Sequence, residues 1–233
     1  RDLHSFPTRR SSDLHIASSS LHWTWAIGGP EIFRIAYNSA MTFELLILDC
    51  DGVLVDSETI SHEIIVEMLG EAGVAMELGA AFNRFLGKST AQCVSIVAEL
   101  LGKEVPANFM EEHRRRTRLA FQSRLRAVPG IEAALDQIRL PYCVASSGEP
   151  DKMRATLGLT GLWPRFEGKL TSVTEVAHPK PAPDVYLLAA SKFGIAPSNC
   201  VVVEDSPTGV TAGVAAGMTV YMEIGRASCR ERV

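Results

Sequence analysis

From Leu45 to Glu58 the chain runs through four apolar residues, Leu45-Leu46-Ile47-Leu48, and then Asp49-Cys50-Asp51-Gly52-Val53-Leu54-Val55-Asp56-Ser57-Glu58. A short apolar run closed by Asp-Gly predicts a strand and a turn, and its continuous apolarity suits a parallel sheet covered on both faces. Similar runs predict strands over Phe43–Asp49, Tyr142–Ser146, Lys169–Ser172, Cys200–Glu204 and Met218–Met222. Helical patterns separate them: Ile131–Arg139 after a Pro-Gly turn, Lys152–Leu157 after Glu149-Pro150-Asp151, Ala182–Phe193 beyond Pro181, and Thr208–Ala216 after Ser206-Pro207. Alternating strand and helix predicts an α/β fold, a Rossmann-like doubly wound parallel sheet.

One interval breaks the alternation. About 70 residues between Asp56 and Val128 carry four amphipathic helix patterns and no convincing strand, and so long a connection predicts a separate helical lobe. The patterns are Ser57–Ala72, Glu77–Phe85, Thr90–Leu101 and Asn108–Arg126. The expected division is a core of residues 41–56 and 127–222 with a helical cap of 57–126. The cap leaves the core just past Asp49 and Asp51, so it is expected to cover them.

The ends read differently. His4 to Leu14 and Ile224 to Val233 can be encoded by one DNA sequence read on opposite strands, and that sequence resembles a short-read sequencing adapter. Both tails are expected to be translated scars and are set aside. His15 to Ala40 has no clean period, its apolar portion is shorter than a bilayer span, and no basic lead with a cleavage site marks a signal peptide. Met41 is the expected start, residues 1–40 the expected product of adapter and upstream DNA, and residues 223–233 an adapter tail. The native gene is expected to continue beyond Met222.

Roughly 180 residues from Met41 suffice for one domain with a small inserted lobe. The formal charge of −4 argues against nucleic acid or an anionic membrane as partner. Arg114-Arg115-Arg116 lies in a helical pattern and reads as a solvated face. Cys50, Cys93, Cys143 and Cys200 lack metal-ligand spacing, so reduced packing cysteines in a cytoplasmic protein are expected, with Cys229 in the tail. A monomer is expected.

The chemistry concentrates at strand ends. Two carboxylates, Asp49 and Asp51, are two apart on an extended chain and point to the same side, where they repel unless a cation joins them. Mg²⁺ suits such a site, because it takes a few carboxylate oxygens with water and phosphate. Val144-Ala145-Ser146-Ser147-Gly148 ends another strand with a hydroxyl and a turn whose N–H groups can face an anion. His178-Pro179-Lys180-Pro181 sets one lysine between prolines, and Val203-Glu204-Asp205-Ser206-Pro207 again drives carboxylates to a strand end.

In their order and placement these elements resemble the haloacid dehalogenase superfamily of hydrolases, the subgroup with a helical cap after the first motif. The likeness covers Thr42 to about Met222. The family's Asp-x-Asp-Gly-x-x-x-Asp motif matches Asp49 to Asp56, its second motif Ser146, its third Lys180 and its fourth Glu204-Asp205. The resemblance implies that Asp49 is the nucleophile and Asp51 the acid/base. It implies that Asp49, the Asp51 backbone carbonyl and Asp205 hold Mg²⁺ with Glu204 supporting. Lys180 and Ser146 are then expected to hold phosphate oxygens, with Gly52 and Ser147 as further substrate-binding positions. Asp56 and Glu58 read as turn and hinge residues.

Asp51 separates the reactions of that family. Its dehalogenases lack the second Asp, so this chain is expected to act on phosphate esters of a small phosphorylated metabolite, a sugar phosphate or phosphoglycolate. A β-phosphoglucomutase-like transfer is the rival: those mutases carry a His ten positions after the second Asp, where this chain has Ser61, and His62 is one step off. A non-catalytic phosphometabolite-binding protein is a third reading. A signalling receiver is excluded by the long interval from Asp51 to Ser146. Substrate choice is expected in the cap loop Asn83 to Ser89, through Arg84 or Lys88.

Overall fold

The computed structural model describes residues 43–222. The readings of residues 1–40 and 223–233, including Cys229, lie outside the described residues. Strands β1 (Leu45–Leu48), β2 (Tyr142–Ser146), β3 (Leu170–Ser172), β4 (Cys200–Glu204) and β5 (Thr219–Met222) form one parallel sheet in the order β3-β2-β1-β4-β5. In register, Ile47 sits between Cys143 of β2 and Val202 of β4. The chain moves outward from β1 to β3 and then returns to lay β4 on the other side of β1. The order reverses between β1 and β4, and in open sheets of this kind ligands bind beyond the carboxyl ends of the strands at such a reversal.

The unbroken apolarity of β1 has a packing reason. Leu46 and Leu48 join Val144, Val201 and Val203 in one core, while Leu45 and Ile47 join Cys143, Ala145 and Val202 in another. Successive residues face opposite sides, and both sides are buried. The second core is closed by α8 (Asp184–Phe193) and α9 (Pro207–Ala215) through Val185, Tyr186, Ala189 and Ala212.

Between β1 and α5 (Ile131–Gln137) the chain forms only helices: α1 (Ser57–Glu71), α2 (Leu78–Phe85), α3 (Thr90–Leu101) and α4 (Phe109–Arg124). Ile64, Phe85, Val97, Phe109 and Phe121 pack in the first core, so the insert and the sheet share apolar contacts. Entry and exit run side by side. Val55 bridges Ala127, Asp56 N–H donates to Arg126 C=O at 3.0 Å, and Val128 N–H donates to Leu54 C=O at 3.0 Å. On α4, Arg115 pairs with Glu112 and Arg116 with Glu71 and Glu112, so the arginine run is a surface face.

Several boundaries differ from the expected ones. β1 ends at Leu48, yet Asp49 N–H still donates to Val203 C=O at 3.0 Å. α4 stops at Arg124 because Leu125 turns extended to reach the ribbon at Ala127. α6 (Pro150–Leu159) begins two residues early, with Pro150 in the first turn, where its missing N–H costs nothing. A one-turn helix, α7 (Trp163–Phe166), precedes β3 and has no counterpart in the sequence reading. Cys50, Cys93, Cys143 and Cys200 are free thiols. No helix among the described residues is long and apolar enough to cross a membrane.

Candidate active site

Asp49 is the first residue past β1, and Lys180 reaches it from the loop before α8. Lys180 Nζ donates to Asp49 Oδ1 at 2.7 Å, to Glu204 Oε1 at 2.6 Å and to Ala145 C=O at 3.1 Å. Three strand ends, β1, β2 and β4, therefore meet on one ammonium. All three of its protons are used.

Glu204 is held from every side. Oε1 also accepts from Tyr186 Oη at 2.8 Å, and Oε2 accepts from the Ser206 N–H and hydroxyl, each at 2.9 Å. The Glu204 carboxylate thus fixes Lys180 and the turn into α9. Gly209 lies so close that a Cβ there would overlap this carboxylate. Asp205, next in the chain, stands over Gly52, whose φ of +80° and missing Cβ allow the approach; a side chain at that position would overlap the Asp205 carboxylate.

The expectation that Asp49 and Asp51 share a side by strand alternation has a different basis in the structure. From Cys50 the chain leaves the strand and curls, with Leu54 and Val55 N–H both donating to Cys50 C=O and Gly52 N–H to Val55 C=O. That turn sets where Asp51 lies. Its Oδ1 accepts from Ser57 Oγ at 2.5 Å and its Oδ2 from Lys152 Nζ at 2.7 Å. Ser146, fully buried at the end of β2, accepts from the Gly148 N–H at 3.1 Å, while Ser147 is exposed.

The charges explain one another. Burial pushes the Asp49 carboxyl up to about 7; Lys180 opposes the shift, and Glu204 and Asp51 add to it. Burial would raise Asp51 too, but Lys152 and the Ser57 hydroxyl bring it below the ordinary carboxylate value. Burial costs Lys180 its proton affinity, and Asp49 and Glu204 more than restore it. Asp205 is pushed up to about 9, first by burial and then by Asp49, Glu204, Glu58 and Asp51, with no donor opposing them. Glu58, in the first turn of α1, is raised to about 7 by burial and by Asp51.

Among the described residues, acidic groups thus outnumber basic ones here, and neither Asp205 nor Glu58 has a lysine or arginine within salt-bridge reach. Among the described residues, no three acidic, His or Cys side chains converge closely enough to enclose a cation alone. The donors are hard oxygens, and Mg²⁺ keeps several waters and bridges to phosphate instead of filling an all-protein cage. The residues fit such an ion.

Other predicted residues lie elsewhere. Arg84, on α2, points along the insert and pairs with Glu99 of α3 at 3.4 Å. Lys88 is exposed in the loop whose Gly87 meets the core: a Cβ on Gly87 would stand 3.3 Å from Thr208 Oγ1. His62 is buried inside the insert, its Nδ1 donating to Glu58 C=O at 2.7 Å and its ring stacked on Phe82 with centroids 4.3 Å apart. Lys152, Ser57, Glu58 and Tyr186 are site neighbours that sequence reasoning passed over or read as scaffold. Lys152 carries a signal: it lies in the first turn of α6, where the helix dipole disfavours a cation unless an anion faces it.

The chain matches the family model described as haloacid dehalogenase-like hydrolase over residues 43–217. It is 35% identical over 180 residues to 6-phosphogluconate phosphatase of Escherichia coli (strain K12), covering 76% of this chain and 81% of that one. Among solved structures it is similar to a haloacid dehalogenase-like protein from Agrobacterium tumefaciens, with a TM-score of 0.72 and 31% identity over 76% of this chain and 81% of that one. It is also similar to a family hydrolase from Deinococcus radiodurans solved with bound phosphate and sodium, with a TM-score of 0.67 and 31% identity over 76% of this chain and 79% of that one.

Proposed function

The chain belongs to the haloacid dehalogenase-like hydrolases, and on that premise we propose that it is a Mg²⁺-dependent phosphomonoesterase acting on a small phosphorylated metabolite through an aspartyl-phosphate on Asp49. The observation that carries this reading is the contact of Lys180 Nζ with Asp49 Oδ1 at 2.7 Å, which puts a fixed positive charge beside a carboxylate at the sheet's switch point. The relative from Escherichia coli bears the name of a phosphatase of a sugar-acid phosphate, which supports the same substrate class.

Asp49 attacks phosphorus and the ester oxygen leaves, so one difficult displacement becomes two easier ones. Asp51, ionised in the free protein, takes up a proton as the substrate binds, gives it to the leaving oxygen and then takes a proton from the hydrolytic water, work typically worth about 10²–10⁴-fold. Ser146 and the N–H groups near Gly52 and Ser147 hold the phosphoryl oxygens, while Lys180, whose three protons go to Asp49, Ala145 and Glu204, supplies positive charge beside the reacting carboxylate instead of a direct phosphate bond. Catalysis of this kind is mostly positioning and charge stabilisation. Asp49, the Asp51 carbonyl and Asp205 would hold Mg²⁺, which screens the repulsion between carboxylate and phosphate. Glu204 supports them through Lys180, since both of its oxygens are engaged.

Helices α1–α4 act as a cap, and Lys88 is the loop cation that contacts a second polar or anionic group of the substrate. Mutase-like transfer is disfavoured because His62 is buried and engaged, its Nδ1 on Glu58 C=O and its ring on Phe82. The protein works as a monomer in the cytoplasm, where Cys50, Cys93, Cys143 and Cys200, free thiols in the structure, stay reduced. Release of inorganic phosphate from a panel of phosphorylated metabolites, with and without Mg²⁺, tests the proposal. Turnover that requires Mg²⁺ and yields the free alcohol supports it; isomerised sugar phosphate without phosphate release contradicts it.

A further inference from the structure

We propose that Lys152 is a positioning residue for the Asp51 carboxyl, fixing it in concert with Ser57 in the orientation from which it reaches the ester oxygen. The inference rests on the phosphatase reading above, in which Asp51 transfers the proton.

Three observations carry it. The Asp51 carboxyl is gripped on both oxygens from two different elements: Ser57 Oγ of α1 on Oδ1 at 2.5 Å and Lys152 Nζ of α6 on Oδ2 at 2.7 Å. Two donors on opposite oxygens fix the carboxyl plane as well as its place, which one donor would not. Secondly, the two lysines divide the site. Lys180 spends its protons on Asp49, Glu204 and Ala145, leaving Lys152 as the cation bonded to Asp51. Thirdly, Lys152 occupies the first turn of α6, the end of the helix where a cation is unfavourable, and Asp51 supplies the facing anion.

A surface ion pair of the ordinary kind would do nothing for chemistry. Lys152 is 43% exposed in its side chain, so its replacement is tolerable to the fold. The test compares Lys152→Met, Lys152→Arg, Asp51→Asn and the double variant Lys152→Met/Asp51→Asn by rapid-quench measurement of phosphoenzyme formation. The probes are 4-nitrophenyl phosphate, glucose 6-phosphate and 6-phosphogluconate. The nitrophenolate leaves without a proton, whereas both sugar esters need one.

The expected result is that Lys152→Met slows formation from both sugar phosphates by at least about 10-fold, a part of what general acid catalysis supplies, with a much smaller loss for the nitrophenyl ester. Arginine should restore part of the loss, and the double variant should be no slower than Asp51→Asn alone, since both changes remove one function. An equal loss on all three probes, or additive losses in the double variant, overturns the proposal. So does a rise in KM confined to 6-phosphogluconate, which would make Lys152 a contact for the substrate carboxylate. If the unmodified protein forms no phosphoenzyme with any probe, the phosphatase reading itself fails and takes this proposal with it.

Discussion

Lys180 and Asp49 are 131 residues apart in sequence and 2.7 Å apart in space, and the same ammonium lies 2.6 Å from Glu204. Lys180 and Glu204 are almost fully buried, so removing the cation leaves carboxylates without compensation in a low-dielectric site. Lys180→Met should destabilise the protein by about 3 kcal/mol and abolish turnover. Urea unfolding checks the first effect, with a lower midpoint and an unchanged slope. A shift below about 1 kcal/mol would mean that the pair behaves as a surface one.

Gly52 is a steric requirement of the same site. Its φ of +80° is strained for any other residue, and a Cβ would displace Asp205. Gly52→Ala should leave the sheet folded but reduce kcat by about 100-fold or more, the scale expected when catalytic groups move by about 1 Å. Circular dichroism and steady-state kinetics on one preparation check both halves. Retention of near-normal kcat would show that Asp205 need not stand where it does.

Inside the insert, His62 donates to Glu58 C=O and His113 donates through Nε2 to Ser61 C=O at 2.9 Å. Burial holds both imidazoles below their ordinary value of 6.5. The unfolded chain therefore takes up protons first as pH drops through 6.5. The stability these rings contribute is present at and above that pH and is lost as pH falls toward their folded values, by up to about 1.4 kcal/mol per pH unit for each. Glu58, near 7, and Asp205, near 9, slope the other way. The difference between wild type and His113→Gln is consequently the quantity to follow. That difference should shrink as pH is lowered from 6.5; a pH-independent difference would contradict the shift.

The two candidate cap cations separate in the structure. Arg84 is engaged with Glu99, whereas Lys88 follows the loop glycine that meets Thr208 of the core. Lys88→Ala should change KM unequally across a panel of phosphorylated metabolites while altering 4-nitrophenyl phosphate hydrolysis little. Arg84→Ala should move neither. Equal effects of the two substitutions would reject the distinction.

Much of this was legible in the chain because buried strands end abruptly in charge. Tyr142–Ser146 and Cys200–Glu204 have the bounds their apolar runs indicate, and Thr90–Leu101 begins behind Ser89, whose hydroxyl and Gln92 form a capping box. The bounds blurred where tertiary contacts decide: Leu125 leaves α4 to join the ribbon at Ala127, and Trp163–Phe166 is one turn, too short to show a period. Of the site, the residues at strand ends could be found from sequence. Lys152 could not be placed there, because only the folded α6 carries it 101 positions back to Asp51.

The division of labour between the paired carboxylates is tested most directly by rapid-quench trapping of the phosphoenzyme in Asp49→Asn and Asp51→Asn, with 4-nitrophenyl phosphate and a sugar phosphate in the presence of Mg²⁺. Asp49→Asn should form no covalent phosphoenzyme from either ester, since the amide is a poor nucleophile. Asp51→Asn keeps its backbone carbonyl and loses only the proton donor, so it should still form phosphoenzyme slowly from the nitrophenyl ester and fail with the sugar phosphate. A phosphoenzyme in Asp49→Asn, or the same slowing of both esters in Asp51→Asn, would contradict the roles assigned to the two residues.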